Sequence, residues 1–430
     1  MGREQGMLRS SKFRRPGLGA LAAVLAIGIG TGVPLAQAAR PHAQTTLTMW
    51  AWADRQYCPV EFAKVHPEVK INYVVNLSPT QRMTVLKRAG AGNGFPDVYF
   101  DGSENVLNDA RLGFAVSLDD VVPPDVKAKY APHTLDQLAY QGHLVAVPND
   151  MAAFGIWYNV SKLKAAGLAI PTSYDQMWQQ AAQLAKTKKY AISMEGADGS
   201  MLEELGWGNE GKWFTPSAGG SWKVNIDSPV MEQITQKYVN AVRSGGILPD
   251  NPFGPVSGKA FGKGKVVYSF SANWLGHYGI EPTYPAQKRQ WSFAASIPSV
   301  GWWGGAAYMV PPQSQHQALA KQLALFCSTS PLFQRLTGTL TSYTGVWNQA
   351  GFAQPDTYWA NPQQVVAQIK LSGTRTGKDW YFAPDQTYVD QQAGTHLLRM
   401  IQGTGSVHDE LKKLQNEVLD NMQQLGINAS

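Results

Sequence analysis

The chain has 430 residues, 16% of them charged, with 42 Gly, 26 Pro and 14 Trp and a formal net charge of +6. This composition excludes a disordered chain and describes a globular protein with many ordered loops. It also argues against a nucleic-acid partner. Residues 1–38 hold five basic residues and one acidic one, so +4 of the +6 sits there and the rest of the chain is near +2.

Arg3, Arg9, Lys12, Arg14 and Arg15 precede an apolar run from Leu18 to Val33, and Ala36 and Ala38 follow in a small-x-small pattern. The segment reads as a secretory signal peptide cleaved near Ala38, too short and too Gly-rich to be a good membrane span. Arg14-Arg15 suggests the twin-arginine route, but Pro16-Gly17 stand where that signal wants a bulky residue, so the sequence leaves the export route open. Removing 38 residues leaves 392, enough for two or three domains. The two cysteines, Cys58 and Cys327, either pair in an oxidising compartment or remain separate buried thiols; composition leaves both open.

In chain order, TTLTMWAW reads as a strand, with Trp50 and Trp52 on one face of extended chain. CPVEFAKVHPE is a helix ended by Pro67, and VKINYVV alternates as a strand. SPTQRMTVLKRAGAGNG starts a helix at Ser78-Pro79 and closes on glycines. FPDVYF is a buried strand, and ENVLNDARLG is a helix ended by Gly113. This order predicts an α/β protein with parallel strands covered on both faces. HLVAVPNDMAAFGIWYN follows as a long extended stretch. SKLKAAG is a helix ending at Gly167, and a longer helix is capped by Thr172 or Ser173. AISM is a strand, and DSPVMEQITQKYVNAVRSGG is a helix with Ser228 as its cap. KVVYSFSANW is a strand ending in a tryptophan. SFAASIPSV, GGAAYMVP and HQALAKQLALFCST are strand, strand and helix, and the C-terminal residues form one amphipathic helix.

Enzyme chemistry has little foothold. H-E-x-x-H, C-x-x-C and G-x-S-x-G are absent, and the eight histidines lack ligand spacing, so no metal or cofactor is expected. GKGK at 262–265 reads as a turn rather than a P-loop. Asp101 with Glu104, or Asp119 with Asp120, is a weak acid pair for glycoside hydrolysis.

The tryptophans are the stronger signal. Trp52, Trp274, Trp302 and Trp303 flank strands, and Trp207 and Trp213 fall in a segment read as a Gly-rich loop. Ligands of α/β sheets sit beyond the C-terminal ends of strands. An aromatic ring there offers a flat apolar face to a sugar, and Asp54, Asp101, Ser103, Glu104, Asp150 and Asn273 supply polar neighbours. Trp50, Trp157 and Trp178 read instead as core.

Taken in order, these segments resemble those of extracellular solute-binding proteins (family 1 type) that serve carbohydrate ABC transporters. LTMWAW resembles the family's first strand, EFAKVHPEVKINYVV and GNGFPDVYFDGSE the segments after it, and YQGHLVAVPNDMAAFGIWYNVSKLKAAGLAIPTSYDQM its crossing into the second lobe. FGKGKVVYSFSANW and GGAAYMVPPQSQ resemble its later strands. The resemblance implies a two-lobed periplasmic binding protein fold, each lobe a mostly parallel sheet flanked by helices. It implies an N-terminal lobe of residues 39–150 plus 305–350, a C-terminal lobe of residues 151–304 plus 351–430, and hinge strands between them.

By the same resemblance the ligand meets Trp52, Asp54, Asp101, Glu104, Asp150, Trp274, Trp303, Gly304, Gly305 and Tyr343, with Trp52 as the floor for a sugar ring. The layout places Cys58 and Cys327 in one lobe, where a bridge between them is a hypothesis. Two departures stand out: Tyr174 occupies the position of a family tryptophan, and Val346 replaces a family proline. The expectation is a periplasmic monomer, not an enzyme, that binds a carbohydrate and delivers it to ABC permease subunits. The alternatives are a binder of glycerol phosphate or a polyamine, or an exported carbohydrate-active enzyme. Arg55 and Arg111 are the few arginines near the proposed loops, which favours a neutral ligand.

Overall fold

The computed structural model describes residues 44–75, 87, 94–194, 199–250, 253–332, 339–349, 352, 356–376 and 380–430. The signal-peptide segment and nearly all of the helix expected after Ser78 lie outside the described residues.

The strands run in chain order as β1 (Thr45–Ala51), β2 (Val69–Val75), β3 (Val98–Gly102), β4 (Ala139–Tyr140), β5 (His143–Leu144), β6 (Val147–Pro148) and β7 (Phe154–Asn159). They continue as β8 (Ala191–Met194), β9 (Phe214–Pro216), β10 (Trp222–Val224), β11 (Ile247–Leu248), β12 (Val266–Ala272), β13 (Trp291–Ala294) and β14 (Ala306–Met309). One sheet has the order β2-β1-β3-β14-β6 and a second the order β11-β8-β12-β7-β13. Each is parallel on one side, through β2-β1-β3 and β11-β8-β12, with helix Tyr57–Val65 crossing from β1 to β2 and helix Pro255–Gly262 from β11 to β12. Each is antiparallel on the other side, where the chain arrives from the opposite sheet. Strands β3, β7, β8, β12, β13 and β14 are buried along their whole length, as a sheet covered on both faces requires.

Local sequence sets many of the boundaries. Asn159, Ser173, Ser228 and Ser406 each accept a backbone N–H of the helix they open. Such a cap contributes about 1 kcal/mol. Gly167, Gly245 and Gly403 adopt positive φ just past helix ends, where a side chain would be strained.

The chain crosses between sheets along adjacent extended segments. Residues 149–154 hydrogen-bond on one side to Gly301, Trp303 and Ala306 and on the other to Leu340 and Ser342. Helices Pro362–Gly373, Gln386–Gln402 and Val407–Gln424 then pack on the second sheet's side of the molecule. In the last two, buried His396 lies between Glu410 (2.7 Å) and Glu417 (3.1 Å). Burial alone would raise the Glu410 carboxyl, but hydrogen bonds from Lys413, His396 and Arg399 hold it down at about 2.

Cys58, on helix Tyr57–Val65, and Cys327, on helix Gln317–Thr329, form a disulfide with Cα atoms 5.4 Å apart. Both half-cystines are fully buried in the core of the first sheet. Trp157 is core as expected, donating its indole N–H to the Ala272 carbonyl at 3.1 Å, whereas Trp50 and Trp178 are only partly buried against their cores.

Candidate functional site

The segments flanking the crossing strands bring five tryptophans together. Trp274 stands two residues past the end of β12, and its indole N–H donates to the Trp303 carbonyl at 3.1 Å. Trp303 packs edge-on against Phe382 at 6.0 Å. Phe382 lies 4.3 Å from Trp380, and Trp380 stacks on Trp207 at 3.3 Å and on Trp302 at 6.4 Å. Trp207, Trp302 and Trp380 are buried, whereas Trp274 and Trp303 are partly exposed. The buried three form a wall behind the exposed two.

The wall carries unmet polar groups. The indole N–H groups of Trp207, Trp302 and Trp380, and both ends of the Asn273 amide, find no partner among the described residues. Most buried polar groups in folded proteins are paired, so a cluster of unmet ones marks a place built to meet something else.

Gly304 and Gly305 both have positive φ, +80° and +73°. A Cβ at Gly305 would lie 2.9 Å from the Asp150 carbonyl and 3.0 Å from the Trp302 indole nitrogen, so only glycine lets the hinge strands approach here. Its carbonyl accepts from the Ser103 N–H at 3.2 Å, which brings the turn after β3 against the hinge. Asp101, opposite Ala307 of β14, is fully buried. The Glu104 carboxylate folds back over Gly102, where a Cβ would stand only 2.0 Å from Oε1.

Asp54, Arg55 and Asp150 form a separate charged group. Arg55 is fully buried and bonds Asp54 at 2.6 Å. Tyr278, on the segment after β12, donates to Asp54 at 2.5 Å and accepts from Arg55 at 3.2 Å, so it links the flanks of the two sheets. Burial opposes the charge on Arg55, but Tyr278, Asp150 and Asp54 around it more than offset that. Asp150 accepts the Ala306 N–H at 2.9 Å. Burial raises its carboxyl to about 6 against the pull of Arg55.

Two of the sequence-predicted site residues have contacts of another kind. Trp52 meets Phe100 edge-on at 5.0 Å, and the Arg55 guanidinium lies 5.5 Å from its ring centroid, so part of its surface is already used. Tyr343 packs edge-on against Tyr130 at 5.2 Å. The other expected residues fall into the tryptophan group, the hinge or the Asp54–Arg55 group. Sequence reasoning passed over Trp380 and Phe382 as site residues, although the aromatic run Trp380-Tyr381-Phe382 just ahead of a helix was a usable signal. It also placed Trp207 in a loop, whereas helix Ser200–Gly208 carries it. The glycines of that stretch concealed the apolar pattern that buries Met201, Leu202 and Leu205.

The same helix buries Glu203, whose carboxylate accepts from the Gln386 amide at 2.8 Å. Burial pushes its pKa up to about 8, with the Gln386 bond opposing. A folded carboxyl raised above its unfolded value stabilises fully below the unfolded pKa, and that stability is lost as pH rises through the folded one. The window therefore runs from the ordinary glutamate value of 4.5 to about 8. The stability of Glu203→Gln relative to wild type is expected to rise on the order of 3 kcal/mol between pH 5 and pH 8. Urea unfolding at both pH values measures this. An equal difference at the two would show that Glu203 does not bury its proton.

Comparisons with known proteins agree with this architecture. The model of the bacterial extracellular solute-binding protein family matches residues 42–330, more than half of the chain. No curated protein matches the sequence. Among solved structures, the galacto-N-biose/lacto-N-biose I-binding protein of an ABC transporter from Bifidobacterium longum, in complex with lacto-N-biose, superposes with a TM-score of 0.77. The two are 18% identical over 90% of this chain and 99% of that one. The ABC transporter associated binding protein of B. animalis subsp. lactis Bl-04, in complex with β-1,6-galactobiose, gives 0.75 at 15% identity over 90% and 99%. The sugar-binding protein MalE of Xanthomonas citri gives 0.74 at 18% identity over 89% and 99%. The shared architecture is a two-lobed α/β fold, and the chain belongs to the family of bacterial extracellular solute-binding proteins.

Proposed function

We propose that the protein captures a neutral carbohydrate between its lobes and delivers it to the permease of an ABC importer. The observation that carries this reading is the pair Trp274 and Trp303. Their rings are partly exposed, the Trp274 ring is held by its hydrogen bond to the Trp303 backbone carbonyl, and the unmet Asn273 amide directly precedes Trp274. Flat apolar faces next to free amide and indole donors suit the C–H face and hydroxyl rim of a sugar. Sugar-binding relatives of the same fold support the reading.

Electrostatics argue against glycerol phosphate. Among the described residues Arg55 is the fully buried arginine, and it is bonded to Asp54 and lies near Asp150, so no positive charge is left over there to hold a phosphate. In this proposal the lobes are 39–150 plus 305–350 and 151–304 plus 351–430. Trp274, Trp303, Gly304 and Gly305 form one wall; Asp101 and Glu104 approach from the turn after β3; Trp52, Asp54 and Asp150 border the Arg55 group; Tyr343 supports the hinge. The protein works as an exported periplasmic monomer after loss of residues 1–38, and it returns its ligand chemically unchanged. Closure follows because the closed form makes more contacts with ligand than the open one.

Titration of the mature protein with mono- and oligosaccharides, read by tryptophan fluorescence, tests the proposal. At least one sugar is expected to shift the emission and to be recovered intact by chromatography. Silence across the panel, or cleavage of the sugar, would overturn it.

A further inference from the structure

Helix Ser200–Gly208 buries Glu203 and, one turn on, Trp207, so the two side chains share a face of the helix. Each holds the segment that carries Trp380 and Phe382. The Trp207 ring stacks on Trp380 at 3.3 Å. The Glu203 carboxyl accepts from the Gln386 amide at 2.8 Å, and Gln386 opens helix Gln386–Gln402 four residues past Phe382. The segment is therefore fastened at both ends, by an aromatic stack at one and a buried hydrogen bond at the other.

Gln386 is fully buried and uses both sides of its amide. Its Oε1 accepts the Ala383 N–H at 2.7 Å, while its Nε2 donates to Glu203 at 2.8 Å and to Asp390 at 2.9 Å. The position asks for one acceptor toward a backbone N–H and two donors toward carboxyl groups. An amide supplies both, whereas a carboxylate has no donor and an ammonium no acceptor. Ala383 directly follows Phe382, whose ring lies 6.0 Å from Trp303 and 4.3 Å from Trp380. A path of contacts thus runs from Glu203 through Gln386, the Ala383 backbone and Phe382 to the partly exposed Trp303. The next residue, Thr387, donates to Asn105 on the turn after β3 at 3.0 Å, so the same helix start also reaches the first sheet's side.

Resting on the carbohydrate reading above, we propose that Gln386 and Glu203 are positioning residues for the sugar site, fixing the Trp380–Phe382 segment so that Trp303 presents its ring in one orientation. They act through Phe382 rather than on the sugar. A platform held in place before binding spares the sugar the cost of ordering it.

Titration at neutral pH with α-linked gluco- and β-linked galacto-di- and trisaccharides, alongside far-ultraviolet circular dichroism, tests this on wild type, Gln386→Ala, Glu203→Ala and Glu203→Gln. The Trp207–Trp380 stack is expected to give an exciton couplet, assigned by its loss in Trp380→Phe. Gln386→Ala and Glu203→Ala are expected to weaken the couplet and to bind the sugars that wild type binds about tenfold more weakly. Burial raises the Glu203 carboxyl to about 8, so it is protonated at neutral pH, and a glutamine keeps its shape, its neutrality and its acceptor. Glu203→Gln is therefore expected to restore the couplet and to bring affinity within about twofold of wild type. If Gln386→Ala fails to fold, the two Glu203 variants carry the test. Three results would overturn the positioning role while leaving the carbohydrate reading in place: alanine variants that keep wild-type affinity, an affinity loss with the couplet intact, or Glu203→Gln as weak as Glu203→Ala. Silence of wild type toward every sugar would overturn both.

Discussion

A Trp303→Ala variant is expected to bind the sugar identified by titration about a hundredfold more weakly than wild type, roughly 2.7 kcal/mol. Two consequences of the substitution add up. A partly exposed aromatic face is lost and Phe382 loses its edge-on neighbour, while the Trp274 indole keeps its bond to the backbone carbonyl of residue 303. Truncating a tryptophan also costs stability, so the binding loss needs a control. Trp178 supplies it, because this side chain sits in helix Tyr174–Thr187 and is partly buried against the same core. Trp178→Ala is expected to be destabilised as well, yet to keep its affinity within about twofold. Fluorescence or calorimetric titration, alongside thermal melts of all three proteins, separates the effects. Equal affinity losses in both variants would mean that Trp303 acts only through packing, and the assignment of the aromatic wall as the sugar platform would fail.

Breaking the Cys58–Cys327 bridge is expected to lower unfolding free energy by roughly 3–5 kcal/mol. The bond closes a chain segment of 269 residues, and a long loop is where a crosslink removes most entropy from the unfolded chain. It also joins two helices of one lobe that the sequence separates by the whole of the second sheet. Urea unfolding of wild type with and without reductant, and of Cys58→Ser/Cys327→Ser, measures the effect. The midpoint is expected to fall and the denaturant slope to rise, because the unlinked unfolded chain exposes more surface. Sugar affinity at low denaturant should be unchanged, since the bridge lies in the core of the first sheet. Identical midpoints in the oxidised and reduced forms would show that the crosslink leaves stability untouched. A stabilising disulfide also accords with a protein that works outside the cytoplasm, where such bonds persist.

The Glu203 titration and the disulfide are separable. One acts on a helix of the second sheet's core with a steep pH dependence, and the other on the first sheet's core with none near neutrality. If the lobes unfold independently, the two perturbations will move different transitions, which would also test the proposed lobe boundaries.

Much of the secondary structure was legible because it depends on neighbours in sequence. The caps at Ser173 and Ser228, the glycines at 167 and 245, and the buried strands at β3 and β12 follow from a few adjacent residues. The ordered run of segments also sufficed to identify the family. The sequence could not rank the tryptophans. It favoured Trp52, whose ring shares its surroundings with Phe100 and Arg55, and passed over Trp380, which stacks on Trp207. Ring exposure depends on what packs behind each side chain, and those partners come from the far ends of the crossovers. The link from Arg55 to Tyr278 spans 223 residues and the one from Asn105 to Thr387 spans 282. No local period encodes such pairs; the three crossings between the sheets bring them together, so only the tertiary structure could decide which aromatic and polar groups share one cleft.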